Sequence, residues 1–150
     1  MRELRTLAAV VTAVIGLAAA TGTAATAATT PAVPSDAVSV TGGTLADDGT
    51  VTLTGSYRCV EHPGKVVLIG SNVIQNGHPE SIGGFKAQCD GTARTWTNTG
   101  RPMTAGRGSG PLLRTGPATV KATMLTMGPN GMPLPQTIAT AESPIELTAG

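Results

Sequence analysis

The sequence predicts an all-β fold: a small antiparallel immunoglobulin-like β-sandwich of about seven strands with one disulfide. Three observations predict it. Val, Ile and Thr make up 33 of the 123 residues that follow position 27, apolar residues alternate with a period of two, and glycine-containing turns separate the alternating runs. Such alternation places one face of a strand in a core and the other in water. No helix is predicted.

The first 27 residues have the features of a secretory signal peptide. A short basic start containing Arg2 and Arg5 precedes a 14-residue apolar run over residues 7–20. Crossing a bilayer takes about 20 apolar residues, so the run is too short for a membrane span. Small residues follow it, and Ala25-Thr26-Ala27 is the preferred cleavage site, with Ala28-Thr29 and Ala20-Thr21 as alternatives.

Cleavage after position 27 gives three predicted segments: a signal peptide (1–27), a short linker (28–36) and a β-sandwich domain (37–150). The mature protein is expected to be secreted, extracellular, monomeric and without a membrane span. It holds eight basic and eight acidic side chains. A neutral chain gives no charge-based reason to expect a nucleic-acid partner. The mature length excludes most multi-domain enzymes.

The seven strands are predicted in order over residues 37–41, 50–60, 65–75, 84–90, 93–98, 118–127 and 137–147. The second is the clearest, because Val51, Leu53 and Tyr57 alternate with threonines and serine. The third is apolar on both faces in its first half, which is typical of a strand covered on both sides. In the sixth, apolar Ala118 and Val120 alternate with polar residues.

Turn residues separate the predicted strands, at Gly42-Gly43, Asp48-Gly49, Pro63-Gly64, Asn76-Gly77, Asp90-Gly91 and Pro129-Asn130-Gly131. The pattern predicts six buried side chains: Tyr57, Val67, Ile69, Trp96, Val120 and Ala122. We expect Arg58, Lys121 and the arginines of residues 98–116 to be exposed, and Arg94 to reach solvent at an edge of the sandwich.

Cys59 and Cys89 are the two cysteines of the chain. In an oxidising compartment an even pair is expected to form a disulfide. Their separation of 30 positions is shorter than in antibody domains, so we expect the bond to tie the second strand to the fourth. A metal site is not expected, because there is no C-x-x-C motif and neither histidine has the spacing of a metal finger.

Several motifs resemble a family of short exported actinomycete proteins of unknown function. The resemblance covers roughly residues 37–147 and rests on the string from Asp48 to Cys59, on Ile69-Gly70-Ser71, Cys89-Asp90-Gly91 and Trp96, and on Gly116-Pro117-Ala118. It implies secretion, a β-rich domain and paired cysteines. The resemblance supplies no catalytic or binding residues.

Catalytic residues are not predicted. His62 precedes Pro63 and His78 precedes Pro79, so both histidines are expected in turns. Glu61 with His62, or His78 with Glu80, would be an acid–base pair, but turn polarity accounts for both. The sequence has no G-x-S-x-G or H-E-x-x-H motif. We therefore expect a protein that is not an enzyme, with no cofactor.

Residues 98–116 form the candidate binding loop. This segment has no strand pattern and contains Arg101, Arg107 and Arg114 with no acidic residue. A long connection of this kind is either functional or a solvated connector. As a binding loop its arginines would hold an anionic cell-wall polymer or an acidic protein surface, since guanidinium groups bind such oxygens in pairs.

The predicted function is that of a secreted non-enzymatic binding or interaction module of unknown ligand. Association of the protein with the cell surface is one form that this function can take. The alternative is an extracellular carrier of an apolar small molecule, which requires a concave apolar pocket. A secreted hydrolase or hydrolase inhibitor is less favoured, because a hydrolase needs a nucleophile and a base within hydrogen-bond reach.

Overall fold

The computed structural model describes residues 34–102, 113–128 and 134–150. These ranges hold seven strands: β1 (Ala37–Leu45), β2 (Val51–Arg58), β3 (Val66–Gln75), β4 (His78–Lys86), β5 (Ala93–Gly100), β6 (Gly116–Met127) and β7 (Gln136–Ala149). The predicted signal peptide (1–27) lies outside them. Within the described ranges, no helix has the length and apolar character needed to span a membrane.

The seven strands form one mixed sheet in the order β4-β3-β6-β7-β1-β2-β5. The predictions of an all-β fold, seven strands and a disulfide are confirmed. The prediction of purely antiparallel pairing is wrong at one place, because β1 and β7 pair in parallel, with Gly43 opposite Leu147. β1 thereby joins the β7 side of the sheet to β2, with which it pairs antiparallel.

The sheet curls into a half-barrel, so that its two edge strands, β4 and β5, approach each other. A side chain at Gly83 of β4 would lie 3.3 Å from the carbonyl oxygen of Thr99 in β5. Buried polar side chains bridge the same seam. Asn98 donates from Nδ2 to Ser71 Oγ at 2.8 Å and to the Ile69 carbonyl at 3.1 Å, and Ser71 Oγ donates to the Ile82 carbonyl at 2.8 Å.

The core follows the alternation seen in the sequence. All six side chains predicted to be buried are at most 4% exposed. Arg58 is exposed as predicted, whereas Lys121 is half-buried. Lys121 is on β6, which has a neighbouring strand on each side, so it lies between Asn72 of β3 and Glu142 of β7. The opposite face of β3 is only half-buried, so the expected cover on both sides is wrong.

β4 begins earlier than predicted. Asn76 and Gly77 both have positive φ angles, 54° and 78°, and form a two-residue turn with Gln75 opposite His78. The strand therefore starts at His78, and the prediction that His78 lies in a turn is wrong. Pro79 is tolerated because β4 is an edge strand, where a proline without an N–H need not break a ladder hydrogen bond.

Trp96 packs across the backbone of Gly55 at the centre of the β1–β2–β5 side. The indole Nε1 donates to the Ser39 carbonyl at 2.9 Å, and the ring is 1% exposed. Gly55 pairs with Val40 on one side and with Trp96 on the other. The absence of a side chain at Gly55 makes room for the ring.

Candidate functional site

An open depression, here called the edge groove, lies between the end of β4 and the start of β5. Its volume is about 650 Å³. Both strands pair on one side only, because they are the two edges of the sheet. The groove is lined by Ser56, Tyr57, Phe85, Lys86, Gln88, Ala93, Arg94 and Thr95.

The floor of the edge groove is aromatic. Tyr57 is buried and meets Phe85 edge to face, with ring centroids 5.9 Å apart. The Tyr57 hydroxyl accepts a hydrogen bond from the backbone N–H of Gln88 at 3.1 Å. This contact fixes the chain that leaves β4, so the groove has a defined shape on that side.

Two cationic side chains flank the groove. Lys86 is exposed, and Arg94 is half-buried. The Nη2 atom of Arg94 donates to Asp90 Oδ2 at 2.5 Å, while its Nε atom is buried and has no hydrogen-bond partner in the described part of the chain. Arg94 and the backbone N–H of Thr92 lower the pKa of Asp90 to about 2. The end of the Arg94 side chain thus leaves the core, as predicted, and contacts Asp90.

A smaller depression of about 280 Å³ continues the edge groove toward β1. It shares Ser56, Tyr57 and Ala93 with the groove and adds the exposed Arg58. Lys86 and Arg94 line the edge groove, with Asp90 in contact with Arg94, whereas Arg58 lines the smaller depression. Arg58 follows Tyr57, the residue paired with Arg94, so its side chain points to the other face of the sheet.

Two arginines of the candidate binding loop, Arg101 and Arg114, have different hydrogen-bond partners in the described residues. Arg101 lies just after β5, where its Nη2 donates to Asp48 Oδ2 at 2.7 Å. Hydrogen bonds from the backbone and hydroxyl of Thr50, together with the one from Arg101, lower the pKa of Asp48 to about 2. The charge of Arg101 is thus paired with Asp48, as that of Arg94 is paired with Asp90.

Arg114 sits near the other edge of the sheet. Its backbone N–H donates to Gln75 Oε1 and its carbonyl accepts from Gln75 Nε2, each at 2.9 Å, while its side chain is exposed. Arg107 lies outside the described residues. Among those described, Arg101 and Arg114 share no hydrogen-bond partner.

The disulfide joins Cys59, the residue after β2, to Cys89, which lies between β4 and β5. A His–carboxylate pair lies beside it. His62 Nε2 is 2.9 Å from Asp36 Oδ2, and Asp36 Oδ1 accepts the Val60 N–H at 2.9 Å. Asp36 belongs to the predicted linker, yet it is held against the loop after β2.

Sequence reasoning missed the Asp36–His62 pair, since it considered Glu61 and Glu80 as the carboxylates. His62 contacts Asp36 instead, Glu61 is exposed, and Glu80 is buried on β4. The available signal is the short spacing of Cys59 and His62, which are separated by two residues. The nearby sulfur is in a disulfide, so His62 has no thiol there to activate as a nucleophile.

One solved structure to which the chain is similar is the crystal structure of Spo0M, a sporulation control protein from Bacillus subtilis. The sequence identity is 10% and the TM-score is 0.34, and the match covers 79% of this chain and 51% of that one. The chain thus spans about half the length of that protein, and so distant a likeness carries no functional argument. No curated protein matches the chain.

A family model, described as a family of unknown function (DUF6299), matches residues 34–150. The match includes all seven strands and both cysteines. The chain therefore belongs to the DUF6299 family, a family of unknown function.

Proposed function

We propose that this protein is an exported, non-enzymatic binding module that holds an anionic wall polymer in the edge groove. The observation that carries the proposal is the pair of cations, Lys86 and Arg94, on either side of an open depression between two strand edges. Arg58 lines the adjoining depression, on the other face of the sheet from Arg94.

Arg94 is the side chain best prepared for an anionic ligand. Its Nη2 is held by Asp90, which orients the guanidinium plane, and its Nε lacks a hydrogen-bond partner within the described residues. Because Nε is buried, a ligand oxygen in the groove would be met by the outer N–H groups of the guanidinium. Planar guanidinium groups bind phosphate and carboxylate oxygens in pairs, whereas Lys86 supplies a mobile point charge.

The open shape of the groove favours a polymer segment over an enclosed apolar small molecule. Carrier pockets are concave, mostly apolar, and bury most of the ligand surface. The edge groove is open and carries Lys86, Gln88, Arg94 and two hydroxyl side chains beside its aromatic floor. Ser56, Gln88 and Thr95 would add hydrogen bonds to an extended ligand.

Export is proposed from the sequence of residues 1–27 together with the disulfide, which is compatible with an oxidising compartment. We also interpret the curled sheet as an immunoglobulin-like sandwich. In this interpretation β1 belongs to both layers, since it pairs with β2 in one direction and with β7 in the other. β2 and β5 would then face β3 and β6 across the core formed by Trp96 and Ile69.

Retention on a purified anionic wall polymer at low salt tests the proposal. The variant Lys86→Ser/Arg94→Ser removes the cations of the groove and is expected to lose retention. Retention of the parent should fall as salt rises, because exposed charges are screened over about 8 Å at physiological ionic strength. Urea unfolding of both proteins checks that the variant remains folded.

The control variant Lys65→Ser/Lys121→Ser removes the same charge at residues that do not line the groove, and it should bind like the parent. A second comparison, Arg101→Ser/Arg107→Ser/Arg114→Ser, tests the candidate binding loop. If the triple variant loses retention and the groove variant keeps it, the loop is the site and the groove proposal is wrong. If the parent is not retained at any salt concentration, an anionic wall polymer is not the ligand.

A further inference from the structure

Three potential metal ligands meet where the chain enters β1 and leaves β2, and a fourth residue is bonded to one of them. The ligand atoms of Asp36, Cys59 and His62 all lie within 4.8 Å of one another. Cys89 contributes a second sulfur, bonded directly to that of Cys59. One sulfur, one imidazole nitrogen and one carboxylate thus lie together, and the Cys89 sulfur adjoins that of Cys59. In the oxidised protein the two sulfurs are bonded to each other, so neither is a thiolate that could bind a metal ion.

This set of donors fits zinc. Structural zinc sites are tetrahedral and use cysteine thiolates, histidine nitrogens and carboxylate oxygens. With the usual metal–ligand lengths, the ligand atoms of such a site stand roughly 3.3 to 3.8 Å apart. His62 Nε2 and Asp36 Oδ2 are 2.9 Å apart, so they need to separate only slightly to admit a metal ion. The two sulfurs must separate further, which cleavage of the disulfide permits.

We propose that reduction of the Cys59–Cys89 disulfide converts this cluster into a zinc site, with Cys59, Cys89, His62 and Asp36 as its four ligands. The oxidised protein would not bind zinc there. The reduced protein would bind one zinc ion per chain. The proposal is independent of the edge groove and of its ligand.

The reductant is an external dithiol. One of its thiolates attacks the sulfur of Cys89, the half-buried partner, and forms a mixed disulfide while Cys59, which is fully buried, leaves as a thiolate. The second thiolate of the reductant then releases Cys89. Two electrons pass to the protein, and the reductant becomes a cyclic disulfide. Zinc binding displaces one proton from each of the two cysteine thiols into solvent.

The surroundings of the cluster support a preformed half-site. The Val60 N–H holds Asp36 through Oδ1 and leaves Oδ2 directed at His62. Such an outer hydrogen bond orients a ligating carboxylate. The side chains of Asp36 and His62 are 13% and 19% exposed, so a bound ion would be largely shielded from water. The metal would also keep the segments after β2 and β4 linked when the covalent bond is absent.

The experiment reduces the purified protein with dithiothreitol, removes the reductant without oxygen, and titrates Co²⁺ and then Zn²⁺. We expect one Co²⁺ per reduced chain, with the absorption of a tetrahedral thiolate complex, and its displacement by Zn²⁺. The oxidised protein should give no such spectrum. His62→Asn and Asp36→Asn should each weaken binding by about tenfold or more, because even outer-shell partners of metal ligands are worth 10–100-fold.

The matched control is His78→Asn, which changes the other histidine, on the exposed part of β4, and should bind like the parent. The Asp36 variant separates a folded site from an unfolded chain, since Asp36 is 23 positions before Cys59 while His62 is close in sequence. If reduction unfolds the protein, zinc should restore the far-ultraviolet β-sheet spectrum. Failure to restore it, or equal binding by Asp36→Asn, His62→Asn and the parent, would overturn the proposal.

Discussion

Replacing Gly55 by alanine should destabilise the protein severely, although the change adds one methyl group. A Cβ at this position would lie 1.9 Å from the Ser39 carbonyl oxygen and 2.5 Å from two atoms of the Trp96 ring. The Ser39 oxygen belongs to the backbone of the adjacent strand β1, so it cannot move without opening the β1–β2 pairing. The alternative is displacement of Trp96, which breaks its hydrogen bond to the same carbonyl.

The magnitude follows from what Trp96 loses. Removing a large buried aromatic side chain costs about 3–5 kcal/mol, and a lost hydrogen bond costs about 1 kcal/mol. Alanine also lowers the conformational entropy of the unfolded chain, which stabilises the folded state by about 0.4–1 kcal/mol. We therefore expect a loss of about 3–5 kcal/mol, a large share of the total stability of a small domain. At a urea dependence of about 1–3 kcal/mol per molar, the midpoint should fall by roughly 2 M.

Urea unfolding followed by tryptophan fluorescence measures this directly, because Trp96 is the single tryptophan of the chain. Gly42→Ala is the matched control: it also lies in the β1–β2 pair, opposite Thr54, but a Cβ there has no atom within 4 Å. The control should stay within about 1 kcal/mol of the parent. The reasoning is refuted if Gly55→Ala has the midpoint of the control together with the parent's native emission.

Three further outcomes are expected. The pKa of Asp48 is about 2 in the folded protein, below its usual 3.8. The contribution of Asp48 to stability is therefore present above about pH 4 and is lost as the pH falls toward 2. Over this pH range the urea midpoint of Asp48→Asn should fall less than that of the parent. Ser71→Ala should cost about 1–3 kcal/mol by urea unfolding, since the Ile82 carbonyl loses its donor and Asn98 one acceptor; a change below about 0.5 kcal/mol would mean that water replaces the hydroxyl. Cys89→Ser, measured without added metal, should lower stability by about 2–5 kcal/mol, and an unchanged midpoint would show that the disulfide constrains the unfolded chain very little.

Local pattern was sufficient to predict the central strands. The ends of β2, β3 and β6 are predicted to within two residues, because β2 and β6 alternate apolar with polar side chains and β3 begins with a continuous apolar run. β4 was placed too late, since Pro79 and two glycines conceal a strand that lies at an edge. The parallel pairing of β1 with β7 has no local signature, because it joins segments about a hundred positions apart.

The candidate site could not be predicted from the sequence for a related reason. The edge groove exists where the two edges of a curled sheet come together, so its residues are set by the topology and not by a motif. The same holds for Arg101 and Asp48, which are 53 positions apart and form an ion pair. Composition indicated a positive segment between β5 and β6, but the partner that balances Arg101 lies in a turn preceding β2. Predicting the disulfide was easier, because only two cysteines were available.

The parallel contact of β1 with β7 has a mechanical consequence. Gly43, Thr44 and Leu45 lie alongside Leu147, Thr148 and Ala149, and the Gly150 N–H donates to the Leu45 carbonyl. Since the two strands run in the same direction, Ala37 and Gly150 lie toward opposite ends of the sheet. A tensile force applied between them would load the inter-strand hydrogen bonds in shear, all at once, instead of peeling them apart one after another. The topology thus predicts a molecule that resists stretching along its strands far better than prising across them.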